Sequence, residues 1–199
     1  MSGERSLLVK APQRRRGNRP EFGLLLSMVM TAWAIEFIDF VLPLELDRFG
    51  IIPRELSGLP GIFFSPWLHG DWQHLIANTL TFFGLGLIVL VAEGKRFLST
   101  TFVLVLISGL GTWIIGRENS VHIGASGLIY GYFGYILGRA IWEGRLSWIV
   151  IGIVVATIYG GMIWGIRPTN SPISWEGHLA GLLVGGWLGK QHAGRRKRR

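Results

Sequence analysis

The chain has 199 residues, 49% of them hydrophobic and only 16% charged, with nine tryptophans and a positive mean hydropathy. That balance excludes an ordinary soluble domain of this size and points to a polytopic, all-α membrane protein. The net charge of +8 sits mostly at the two ends, and the absence of cysteine excludes disulfides and thiolate metal sites.

In chain order, residues 1–21 form a polar, basic, proline-containing tail, expected to be disordered. The apolar run that follows is too long for a signal-peptide core and lacks a small-residue cleavage site, so it reads as a retained span. A hydrocarbon core of roughly 30 Å takes about 20 apolar residues in a helix. On that measure six spans are expected, at residues 22–44, 74–92, 97–115, 123–142, 146–166 and 175–189. The first carries Glu36 and Asp39, which are expected to reach the outer interface or to pair with Arg48 or Arg54. The expected division is a tail over 1–21, a six-helix domain over 22–192 and a basic tail over 193–199. No internal repeat is visible, which weighs against a transporter built from repeats.

Charge orients these spans. With six of them both tails share one side, and that side holds sixteen of the twenty Lys and Arg residues. Such a bias places both termini in the cytoplasm. It also supports the last, glycine-rich span, without which the terminal "RRKRR" would lie outside. That basic segment reads as an anchor to anionic membrane lipid rather than a nucleic-acid contact. Trp67, Trp72, Trp164 and Trp175 fall near the outer boundary as an aromatic belt. The layout suggests a bacterial plasma membrane.

On this frame the second, fourth and sixth spans all run from outside to inside. His74 and Asn78 open the second, Ser126 lies about one turn into the fourth, and His178 begins the sixth. Four polar residues from distant segments thus converge near the outer face. A serine hydroxyl is a weak nucleophile until a base takes its proton, and a histidine titrates near neutrality. Ser126 therefore pairs with His178 as nucleophile and general base. Glu176 lies on another helical face, so no third member is evident and packing is expected to hold the imidazole. Tyr130, four residues after Ser126, is placed to stack on His178. Backbone N–H groups at the helix start, with His74 and Asn78 at i and i+4, supply donors for an oxyanion.

The glycines explain how the helices meet. Gly124, Gly127, Gly131 and Gly134 flank the serine, and Gly177, Gly181 and Gly185 form a small-residue seam on the last span. Such seams let helix backbones approach closely.

Three motifs, "HGDWQHLIAN" over 69–78, "GASG" over 124–127 and "GHLAG" over 177–181, together resemble the rhomboid family of intramembrane serine proteases. The resemblance covers roughly residues 59–189. It implies a six-transmembrane-helix rhomboid-like bundle with a water-filled cavity open to the extracytoplasmic side. It implies Ser126 as nucleophile, His178 as base, and an oxyanion hole of His74, Asn78 and the Ser126 backbone N–H, with His69 structuring the outer end of the second span. The substrates implied are transmembrane proteins, cut near the outer ends of their spans after sideways access between helices, with no metal and no cofactor. Two departures stand out. Where family members often carry a Trp-Arg pair in the first outer loop, this chain has "LPGIFF", and the residue before the base is Gly177 rather than Ala.

Other readings fit the residues less well. A non-catalytic binder of transmembrane segments would be expected to have lost Ser126 or His178, and both are present. A metal site is disfavoured because His69 and His74 are five apart. His122 reads as a loop histidine, and residues 167–174 as a cap over the site.

Overall fold

The computed structural model describes residues 22–42, 44–169 and 173–197. The expected disorder of residues 1–21 and the middle of the proposed cap lie outside them. Seven α-helices follow one another among the described residues: α1 (Phe22–Val41), α2 (Gly61–Phe64), α3 (Trp72–Glu93), α4 (Phe97–Ile115), α5 (Ser126–Glu143), α6 (Leu146–Tyr159) and α7 (Trp175–Lys197). Those residues form no strand, only a single antiparallel bridge between Ile51 and His122.

Local chemistry explains the boundaries. Asp71 caps α3, its carboxylate accepting from the His74 backbone N–H at 2.8 Å. Gly94, at φ 54°, ends α3 and lets the chain fold straight back into α4. Gly144, at φ 72°, does the same between α5 and α6. Ser174 opens α7, where its carbonyl accepts from the His178 N–H at 3.1 Å.

Among the described residues, three continuous helical stretches are long and apolar enough to cross a membrane: Phe22–Val41, Trp72–Ile115 and Leu146–Ile166. The second is α3 and α4 folded back on each other at Gly94–Arg96. Helices α5 and α7 are too rich in glycine and charge to qualify on apolarity, yet α5 is the most enclosed of the described helices. It packs on α3, α4 and α6 and most extensively on α7. The core around it joins Leu25, Leu85, Leu104, Tyr132, Ile136 and Val155. The outer faces of the other helices expose large apolar side chains such as Met30, Phe37, Leu80, Phe102 and Ile153. An apolar shell around a core holding the glycine-rich and charged helices is the inverse of a water-soluble fold.

The α5–α7 seam uses the expected glycines. A methyl added at Gly181 would collide with the Gly127 carbonyl, and one at Gly185 with the Gly131 carbonyl. No larger residue allows this separation of the two backbones.

Several expectations need correction. The fourth segment starts at Ser126, not three residues earlier, because Gly124 takes φ +102° and breaks the helix there. The α-helical part of the fifth ends at Tyr159 and continues as a 3-10 helix over Gly160–Ile166. The last helix runs to Lys197, well past the expected end at 189. Of the two alternatives for Glu36 and Asp39, pairing with Arg48 or Arg54 is not seen among the described residues. Asp39 accepts from the Leu46 N–H at 3.0 Å, Arg54 reaches Glu118 and the Gly116 carbonyl, and Arg48 lies over the Phe49 ring. Glu36 is buried on α1.

The segment between α1 and α3 is ordered by main-chain contacts. Besides the Ile51–His122 bridge, the Gly124 N–H donates to the Ser65 carbonyl at 2.8 Å, and the Arg54 N–H to Trp113 at 3.0 Å. Within "LPGIFF", Gly61 sits against the Gly50 carbonyl so closely that any side chain would collide.

Candidate active site

Ser126 is the first residue of α5, delivered there by the Gly124–Ala125 turn. Two contacts hold that turn from outside: the Gly124–Ser65 bond, and a long bond from the Ala125 N–H to Nε2 of His69 at 3.4 Å. His69 thus supports the serine turn, and its ring lies edge-on to that of His74 in α3, centroids 5.1 Å apart. It is 2% exposed, and burial, with the nearby His74 ring, holds its pKa down to about 4.

The Ser126 Oγ and His178 Nε2 lie 2.8 Å apart across the α5–α7 seam. The other ring nitrogen of His178, Nδ1, is 2.9 Å from the Gly165 carbonyl oxygen. Tyr130 stacks flat on the imidazole, ring centroids 4.2 Å apart and planes 11° apart, as its spacing from Ser126 predicts. Its hydroxyl donates to the Met162 carbonyl at 2.6 Å.

His74 and Asn78 face the same place from α3. A side chain at Gly124 would meet the His74 ring at 2.6 Å and Asn78 Nδ2 at 3.4 Å, so only glycine allows the serine turn this close to α3. Asn78 is buried, and its Nδ2 has no protein acceptor among the described residues. A buried amide donor without an acceptor is costly to keep unless its partner arrives during function. A cavity of about 660 Å³ is lined by His74, Asn78, Ser126, Tyr130 and His178 together, with His122 at its wall.

Supporting contacts not evident from sequence surround α7's first turn. Glu176 is fully buried and pairs with Arg117 at 2.8 Å. The same guanidinium donates to the carbonyls of Ile173 at 2.9 Å and Thr169 at 3.3 Å. His122 lies in the segment between α4 and α5, as expected, and its ring is enclosed. It is 4% exposed, its Nδ1 lies 2.5 Å from the Ser174 hydroxyl, and burial lowers its pKa. The signal in the sequence was an acidic residue in the first turn of a span. The Gly165 carbonyl left none, because it acts through the main chain. Among the described residues no group of three or more His, Asp or Glu is placed to hold a metal ion.

An all-helical architecture with an apolar shell and a polar, glycine-lined interior defines an integral membrane protein. The Rhomboid domain family matches residues 57–193, a stretch that contains every residue of this site. The chain belongs to the rhomboid family. It is 37% identical over 189 residues to an uncharacterized protein of Mycobacterium bovis, spanning 88% of this chain and 78% of that one. It is 33% identical over 203 residues to an uncharacterized protein of Mycobacterium leprae, with 92% and 80% covered. Rhomboid-like protein 11, chloroplastic, of Arabidopsis thaliana is 29% identical over 139 residues, with 59% and 46% covered.

Proposed function

We propose that this chain is an intramembrane serine endopeptidase that uses Ser126 and His178 to hydrolyse peptide bonds in or near the transmembrane segments of other membrane proteins. The contact that carries the reading is the 2.8 Å separation of Ser126 Oγ and His178 Nε2 at the wall of a polar cavity. In the acylation step His178 Nε2 takes the hydroxyl proton as Oγ attacks the scissile carbonyl. The negative charge that develops on the carbonyl oxygen is met by Asn78 Nδ2, the His74 ring and the Ser126 backbone N–H. Each such donor contributes on the order of 3 kcal/mol to lowering the barrier. The imidazolium then returns the proton to the leaving amine, and a water activated by the same nitrogen releases the acyl group.

In this reading α1, α3, α4, α5, α7 and α6 with its 3-10 extension are six spans forming one domain over 22–192. Both termini are cytoplasmic, and the site opens to the extracytoplasmic side of a bacterial plasma membrane. The basic tail ends meet lipid headgroups. Neither metal nor cofactor enters the scheme.

The test is cleavage of a transmembrane test substrate by the purified chain in detergent, compared with Ser126→Ala and His178→Ala. Loss in both variants, with no effect of chelator, is the expected result. Cleavage persisting in Ser126→Ala, with contaminating protease excluded, would falsify the scheme, and a wild type inactive on a panel of substrates would favour a binder of transmembrane segments.

A further inference from the structure

A two-residue arrangement leaves open which imidazole nitrogen carries the proton, and only the form with Nε2 bare can act as base. The structure supplies a third group. Nδ1 of His178 faces the Gly165 carbonyl oxygen at 2.9 Å. A carbonyl oxygen can only accept, so this contact places the neutral ring's proton on Nδ1 and leaves Nε2 free toward Ser126. The carbonyl belongs to the seven-residue 3-10 stretch Gly160–Ile166. Runs of this kind longer than about four residues are uncommon and need outside support. Little supports it on its outer side, where Ile163 and Trp164 are exposed. Its inner side is tied to the site by the Tyr130 hydroxyl on the Met162 carbonyl at 2.6 Å, three residues before Gly165. Gly165 itself tolerates no side chain: a methyl there would collide with the Tyr130 hydroxyl and lie 3.2 Å from His178 Nδ1.

We propose that the Gly165 main-chain carbonyl is the orienting acceptor of the catalytic base, and that the Tyr130 hydroxyl holds it in register through Met162. Gly165 and Tyr130 are positioning residues in this scheme, which rests on the Ser126–His178 reading. When Nε2 takes the Ser126 proton the ring becomes a cation with both nitrogens protonated. The Nδ1 proton stays where it is, and its bond to Gly165 strengthens as charge develops. When the proton passes on to the leaving amine the ring returns to the starting tautomer, so the base is reset without rotating. The tyrosine therefore has two separable roles: its ring packs on the imidazole, and its hydroxyl anchors the carbonyl.

The experiment uses the full chain with nitrogen-15 labelled histidine in detergent at neutral pH, with the His178 signal assigned by its loss in His178→Asn. Nitrogen shifts report the tautomer directly, and cleavage of a transmembrane test substrate is followed in parallel. Tyr130→Phe keeps the stacked ring and removes the anchor, while Gly165→Ala pushes the carbonyl away. The expected result is a wild-type His178 protonated on Nδ1. Both variants should gain the Nε2-protonated form, and kcat should fall by about tenfold to a hundredfold with KM nearly unchanged. A wild type that cleaves through Ser126 while His178 is protonated on Nε2, or keeps one tautomer and one kcat in both variants, overturns the role of Gly165 and leaves the serine mechanism standing. A tautomer shift in the variants without any Ser126-dependent cleavage confirms the contact but removes its catalytic role, and the proposed function fails with it.

Discussion

The Arg117 guanidinium lies 2.8 Å from the carboxylate of Glu176, a side chain with no exposed surface, two residues before His178. The same group holds the carbonyls of Ile173 and Thr169, so one cation joins the start of α7 to the loop that precedes it. Removing the cation strands a buried carboxylate. Arg117→Ala is expected to cost about 2 kcal/mol, below the 3–5 kcal/mol of fully buried pairs because the Arg117 side chain is 32% exposed. Thermal unfolding in detergent checks this. The double variant with Glu176→Gln should recover part of the loss, since it removes the stranded charge.

The glycine seam makes a second prediction. Gly181→Ala places a methyl against the Gly127 carbonyl, one residue after the serine. Overpacking of this kind costs about 1–3 kcal/mol, and here the strain separates the two backbones that bring Ser126 to His178. The cleavage rate should fall by about tenfold or more, since small misplacements of reacting groups are costly. Gly194→Ala, where an added methyl meets nothing, should change neither rate nor melting temperature.

At the far end of α5, Arg139 is 1% exposed and donates to Glu93 at 2.8 Å, to Glu143 at 2.8 Å and to the Tyr135 hydroxyl at 2.9 Å. Its guanidinium also lies 4.5 Å over the Trp148 ring, so one side chain joins α3, α5 and α6. Arg139→Leu deprives two buried carboxylates of the cation they share and should cost about 3–5 kcal/mol. Arg139 is roughly 20 Å from Ser126 along the helix, so kcat of the folded fraction should stay within twofold. Denaturant titration paired with cleavage at low temperature separates the two effects.

His69 predicts the pH dependence of stability. Its pKa is lowered from 6.5 to about 4 in the folded chain, chiefly by burial. Above about 6.5 the ring is neutral in both states and contributes no dependence. As the pH falls below that value the unfolded chain binds a proton that the folded chain refuses, so stability drops until about 4, by on the order of 3 kcal/mol. His122, lowered in the same direction, adds to the loss. The unfolding midpoint measured between pH 7 and 4 should therefore decline, and His69→Gln should flatten the decline.

Much of the site was legible because its side chains carry distinctive chemistry at regular spacing. His74 and Asn78 share a helical face, Tyr130 follows Ser126 by one turn, and Gly181 and Gly185 repeat at four residues. Each of these contacts depends on helical periodicity, which sequence expresses directly. The helix ends were less legible. The turn before Ser126 depends on Gly124 at φ +102°, a value that Gly permits but does not announce. The change from α to 3-10 after Tyr159 leaves no pattern in "GGMIWGI".

The order of apolar runs, the bias of Lys and Arg and the placement of Ser, His and Asn were properties of the sequence alone. They are set by composition and by the 3.6-residue period, and they suffice to predict that distant residues meet, as His74, Asn78, Ser126 and His178 do around one cavity. Which partner each polar group takes was decided by the tertiary structure. The Gly165 carbonyl on His178, the Arg117 cation on Glu176 and the Ser174 hydroxyl on His122 all join groups from separate segments. Such pairings depend on distances of a few tenths of an ångström between packed helices, and backbone groups carry the same chemistry at every residue, so no sequence pattern distinguishes the carbonyl that is used from those that are not.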